Sequence, residues 1–216
     1  MSAFVTTQLN DLERLDWDNL AEVQGATRPI LERLASDRAA LRDLVEVSQL
    51  DDDGHSAWEL TDHFARLILA RSERLGVRLI LLSMNPNDRD IIHNHRASFT
   101  TLILNSGYGH YVYRGVVRSR GQSFEAKDLQ PIIFRNEIAG SIYSIHHSSL
   151  HSTRPLPNHL SLIIRGPSST SSRVIIDPRS AYPEWVNGGS DSAHSHRKIR
   201  TADTSKVEWV IEAIGG

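Results

Sequence analysis

A chain of 216 residues, 39% hydrophobic and 23% charged, is sized and composed for one globular domain with a full core and a small appendage. Its 24 basic and 26 acidic side chains leave a formal net charge of -2, which excludes the broad basic footprint of a nucleic-acid binder and gives no polybasic membrane contact. The absence of cysteine excludes disulfide scaffolds, thiolate zinc sites and cysteine nucleophiles, so histidine is left to carry metal or acid-base chemistry. The opening residues Met1 to Asp11 lack a basic segment followed by an apolar one. No apolar run approaches the roughly 20 residues that cross a bilayer, and a cytoplasmic location is the expectation.

In chain order, helical texture comes first. Ile30, Leu31, Leu34, Leu41, Leu44 and Val45 recur at three- and four-residue spacing between charged residues, with Thr27 or Ser36 as a cap and Asp51-Asp-Asp-Gly54 as a stop. Residues 1–75 are therefore expected to form helices packed on one side of a sheet, the texture changing at Gly76.

From Val77 the pattern shortens to β-branched and aromatic runs. These include Val77–Ser83, Ile91–His95, Thr100–Leu104, Gly109–Arg118, Pro131–Arg135, Gly140–Ile145 and His159–Arg165, separated by turns rich in Asn, Gly and Pro. Many short strands without helices between them predict an antiparallel sandwich or barrel over 76–178. Residues 179–216 form a C-terminal extension. It reads as an irregular surface tail to about Ser205, closed by Val207–Ile214 as a short helix or a last strand.

Histidine supplies the chemistry. His93 and His95, separated by one residue on a strand, project from the same face because side chains alternate with period two, so both imidazoles reach one ion. A further histidine, His151, follows the strand Gly140–Ile145 and a tight turn that also carries His146 and His147. A turn one residue different would present His147 as third ligand in place of His151. His146 at the mouth of a pocket is a candidate acid or base. His194 and His196 form a second pair in the polar tail, where an exposed pair arises readily by chance.

These residues carry a resemblance. The spacing resembles the two motifs of the cupin superfamily, G-x5-H-x-H-x3,4-E-x6-G and G-x5-P-x-G-x2-H-x3-N. In the first, His93 and His95 match the histidines, Thr100 the glutamate and Gly107 the last glycine. In the second, Gly140 matches the first glycine, His146 the proline, Ser148 the second glycine, His151 the histidine and Pro155 the asparagine. The resemblance covers about Val77 to Ile176. It implies a mostly β protein, a double-stranded β-helix or jelly-roll barrel, with a metal held by His93, His95 and His151.

A site without the glutamate is similar to the three-histidine centre of the cysteine dioxygenase family. His63-Phe-Ala-Arg66 stands where those enzymes carry a Tyr-x-Arg whose arginine holds the substrate carboxylate. Ser161–Pro167 stands where they carry Ser-Leu-His-x-Tyr-x-Pro. The family's Ser-His-Tyr relay maps onto Ser161, Ile163 and Arg165, so only its serine is kept, and the cysteine that some members crosslink maps to Thr100. Tyr111 or Tyr143 is a candidate stand-in for the lost relay hydroxyl, and Thr100 a candidate hydrogen-bond partner of a ligand water or a histidine. The odd offset of Asp90 from His93 points it out of the barrel.

Three neutral imidazoles leave open positions on a divalent ion and add no charge, which suits Fe(II), an anionic substrate and O2. Zn, Ni or Mn are alternatives, with hydrolysis, isomerisation or decarboxylation as the outcome, as is ligand binding without turnover. Arg66 and Arg165 are candidate carboxylate clamps, since a guanidinium meets a carboxylate bidentately. The expected partners are a small molecule and O2, without nucleic acid or membrane, and the resemblance adds a homodimer.

Overall fold

The computed structural model describes residues 2–49, 57–61, 63–86, 90–178, 182–187 and 204–215. Three helices open the chain: α1 (Ser2–Asp11), α2 (Leu20–Ser36) and α3 (Arg38–Ser48). The helical texture around Thr27–Val45 is two helices broken at Asp37. The Asp37 side chain accepts from Ala40 N at 3.0 Å and caps α3, while Asn19 caps α2. Thr27 and Ser36 cap neither helix. Thr27 is fully buried inside α2 and donates to Val23 O. The expected stop at residues 51–54 lies outside the described residues.

Twelve strands follow among the described residues: β1 (Glu59–Leu60), β2 (Phe64–Arg71), β3 (Arg78–Met84), β4 (Ile92–His93), β5 (Phe99–Asn105), β6 (Gly107–Val116), β7 (Pro131–Ile138), β8 (Ile142–Ile145), β9 (Ser149–Pro155), β10 (Leu160–Arg165), β11 (Ser172–Ile176) and β12 (Pro183–Asn187). They make two antiparallel six-stranded sheets, ordered β1-β2-β3-β10-β5-β8 and β12-β11-β4-β9-β6-β7. This is the jelly-roll barrel with N-terminal helices that the resemblance implies. The change at Gly76 is corrected: β1 and β2 precede it, and a boundary there would cut the β2–β3 pair. In β2 the alternation is carried by Ala65, Leu67 and Leu69, which are buried, between partly exposed neighbours. The C-terminal extension contributes β12, paired with β11, and the helix α4 (Thr204–Gly215). No helix among the described residues is long and apolar enough to cross a membrane.

Burial on both faces explains the continuous apolar runs of β3, β5 and β10. Their outward side chains, including Leu79, Leu81, Leu102, Leu104, Leu160 and Ile164, pack against Leu9, Leu31, Leu41 and Leu44 of the helices and Val210 and Ile214 of α4. Their inward side chains, Phe99, Ile103 and Ile163, meet Tyr108, Tyr143 and Ile145. The opposite face of the second sheet is covered separately. There Ile92, Tyr113, Leu150, Val174 and Ile176 are joined by Phe124 and Leu129 from the long β6–β7 connection. Trp17 locks the helical layer to the end of β10: a Cβ at Gly166 would sit 2.3 Å from the indole, so only glycine allows that approach.

His159, at the entry to β10, is a buried acid-sensitive point. It is fully buried, accepts at Nδ1 from Met84 N at 3.2 Å, and burial pushes its pKa down to about 3. The folded state therefore binds this proton less readily than the unfolded chain, so the contribution to stability is complete above about pH 6.5 and declines as pH falls toward 3. Between pH 6.5 and 5 His159→Asn is expected to lose about 2 kcal/mol less than wild type, measured by urea unfolding at the two pH values.

Candidate metal centre

A cavity of about 570 Å3 opens between the two sheets. His93 on β4, His95 just after it and His151 on β9 line one part of its wall, brought together because His93 and His151 are cross-strand partners. One ligand nitrogen from each lies within 4.8 Å of the others, and His95 Nε2 is 2.7 Å from His151 Nε2. Among the described residues no carboxylate joins this group.

Hydrogen bonding sets the tautomers. His93 Nδ1 lies 3.0 Å from the Ile91 carbonyl, which can only accept, so Nδ1 carries the hydrogen and Nε2 the lone pair. His151 Nδ1 lies 3.1 Å from His110 Nε2, and Glu137 Oε1 lies 3.6 Å from His110 Nδ1. At that distance the carboxylate acts through its charge and not through a hydrogen bond, favouring the tautomer with hydrogen on His110 Nδ1, in which His110 Nε2 accepts and His151 Nε2 is left for an ion. Burial, followed by the neighbouring His93, holds His95 and His151 well below the usual histidine pKa, and burial takes His110 down to about 4. His95 and His151 are thus kept neutral, the form that binds a divalent metal. The donor set fits one.

His110 and Glu137 are the outer support of this centre. His110→Phe, which keeps a ring against Tyr143, is expected to weaken metal binding 10- to 100-fold. Competition against a calibrated chelator would measure it, with urea unfolding run alongside to report any loss of fold.

The other expected site residues separate. Arg66 and Arg165 both line the cavity. Arg66 enters it paired with Glu59, and Arg165 donates to Ser168 Oγ at 3.1 Å. Ser161 and Ile163 line it with Arg165, on the inward face of β10. Tyr143 lines the cavity and shares a hydrogen bond with Tyr108, while burial holds both phenols well above their ordinary pKa. Tyr111 is a correction. It lies on the opposite face of β6, against Phe134 and under the Arg154 guanidinium, because its odd register turns it from His110 and Tyr108. Asp90 pairs with Arg154 at 2.6 Å, and neither lines the cavity.

His146 is a second correction. It does not line the cavity. Its Nε2 lies 3.2 Å from Asp18 Oδ1 and its Nδ1 2.7 Å from Ser148 Oγ, so the turn faces the N-terminal segment. His147 stacks beside it, 3.4 Å from the same Asp18 oxygen, and Asp18, His146 and His147 form a second potential ligand group near the surface. His194 and His196 lie outside the described residues.

Thr100 is a third correction. Its hydroxyl points away from the histidines into a buried chain, 2.7 Å from both Thr27 Oγ1 and Ser144 Oγ. Phe99, one residue earlier, lines the cavity with its ring 4.8 Å from that of His95. Counted with three residues after His95 rather than four, the motif's glutamate position falls on Phe99, whose ring offers no ligand atom.

Sequence reasoning missed Arg78, Arg96 and Arg173, which line the same cavity. Arg78 and Arg173 share the inward face of their strands with residues already singled out on neighbouring strands, and that register was the available signal.

No protein-family model matches the sequence, and no curated protein matches it. Similar solved structures include KdgF from Halomonas sp., with a TM-score of 0.36 and 16% identity over 56% of this chain and 94% of that one. An RmlC-like cupin protein from Ralstonia eutropha JMP134 has a TM-score of 0.36 and 13% identity over 64% and 77% of the two chains. For FeII HppE the TM-score is 0.37 and the identity 13%, over 54% of this chain and 62% of that one.

Proposed function

We propose that this chain is a mononuclear non-haem Fe(II) oxygenase of cupin type, oxidising a small carboxylate-bearing thiol or amino acid-like substrate with O2. The observation that carries the reading is the convergence of three imidazoles, with no carboxylate in the group among the described residues, in a cavity lined by arginines. Bound iron would supply adjacent open positions for a substrate heteroatom and O2. His93, His95 and His151 would hold that ion, and His110, beside the Glu137 carboxylate, orients His151. Arg165 holds the substrate carboxylate, since the Arg66 guanidinium is already engaged by Glu59. Phe99 and Tyr143 shield the reacting end from water, and the Tyr108–Tyr143 pair offers a hydroxyl, kept protonated, at the cavity wall.

The test is metal content after anaerobic purification, followed by O2 consumption over a panel of small thiols and amino acids. Near-stoichiometric iron with substrate-dependent uptake supports the proposal. Zinc or nickel retained without O2 uptake overturns it in favour of a hydrolytic or isomerising cupin. Protein that takes up no metal overturns the metal centre itself and leaves a ligand-binding cupin.

A further inference from the structure

The cavity carries more positive charge than one carboxylate needs. Arg66, Arg78, Arg96 and Arg165 line it, against Glu59 as the one carboxylate among the described lining residues. Arg78 and Arg165 are direct cross-strand partners on β3 and β10, an arrangement in which like charges repel. The Nε atoms of Arg66 and Arg78 are buried without a hydrogen-bond partner. Burial, then Arg78, Arg96, Arg66 and Arg173 in turn, pull the Arg165 pKa down to about 10, so all four cations lie within electrostatic reach of it. Apposed cations in a low-dielectric wall cost stability unless an anion joins them.

Position gives the ligand its layout. Arg165 is the cross-strand neighbour of Phe99, whose ring touches His95, so the arginine wall adjoins the histidines across one aromatic ring. Guanidinium stays charged and presents a flat fork that matches carboxylate and phosphoryl oxygens, which lysine does not. A cavity walled by one sign of charge also concentrates the opposite ion.

We infer that the cavity binds a small organic polyanion, carrying at least two negative charges on one end that rests on Arg78, Arg96 and Arg165 while its other end faces the three histidines. A monoanionic amino acid leaves this wall undercompensated. The inference builds on the proposed function by naming the substrate's charge, but its test needs neither metal nor turnover.

Metal-free protein in low-ionic-strength buffer would be titrated by calorimetry and followed by thermal unfolding, with inorganic phosphate, succinate and acetate as probes. Phosphate or succinate is expected to bind at least tenfold more tightly than acetate and to raise Tm. Tighter phosphate assigns a phosphoryl group and tighter succinate a pair of carboxylates. Arg165→Gln should weaken the preferred dianion at least tenfold and yet raise the Tm of the unliganded protein, because it relieves repulsion from Arg78. A residue serving only to hold the fold would lower that Tm. Arg42→Gln, on the exposed face of α3, should change neither reading. Equal binding of acetate and the dianions, absence of dianion binding, or a lower unliganded Tm in Arg165→Gln would overturn the inference. Dianion binding by protein that fails to load iron would overturn the oxygenase reading alone.

Discussion

His151→Ala is expected to abolish metal retention, lowering affinity roughly 1,000-fold or more, beyond the 10- to 100-fold loss typical of an outer-sphere partner. The reason is geometric. His151 is the ligand through which the two ends of the centre meet: it is the cross-strand partner of His93, its Nε2 faces His95, and its Nδ1 is oriented by His110. Removing it leaves two imidazoles on one short segment. His147→Ala is the informative companion, because His147 belongs to the Asp18 group and not to the cavity. Elemental analysis after anaerobic loading should show metal lost in the first variant and kept in the second. The reverse result would move the ion to Asp18, His146 and His147.

The second large effect is on folding. A Cβ at Gly107 would lie 2.0 Å from the Glu137 carbonyl oxygen and 3.1 Å from Ile138 Cα, both backbone atoms with no rotamer to yield. Gly107→Ala must therefore pry β6 from β7 at the point where Glu137 is placed beside His110. A loss above about 4 kcal/mol is expected, or no folded protein at all. At Gly109 the nearest atom is the Phe134 ring, 3.3 Å away, and that exposed side chain can turn aside. Gly109→Ala should thus cost far less, and urea unfolding of the two variants side by side would show the contrast.

What could be read from the sequence followed strand periodicity. A histidine pair at a spacing of two names its own shared face, whereas His151 as third ligand was legible through the resemblance to the second cupin motif, with His147 as the alternative. Thr100 was misplaced because β5 is buried on both faces: with Phe99 to Leu104 all buried, polarity marks neither the inner nor the outer side, and a slip of one residue exchanges them. Arg78, Arg96 and Arg173 were obscure for a different reason. An arginine in a strand usually reads as a solvent-facing charge, and only the pairing of β3 with β10 reveals that Arg78 and Arg165 look into one space. Glu137 was assigned to a turn because Asn136 and Gly140 flank it, whereas β7 runs on to Ile138.

The strand β4 is only two residues long. His93 is its single pairing point with β9, and two register pairs tie it to β11. Arg165, by contrast, ends a β10 that is flanked along its whole length by β3 and β5. Amide protons on the two walls should therefore exchange at very different rates in the metal-free protein. Those of β10 would wait for global unfolding, while those around His93 and His95 escape through local opening. An ion held by His151 as well as by His93 and His95 staples the short strand to β9, so loading should slow exchange across β4 and leave β10 almost unchanged.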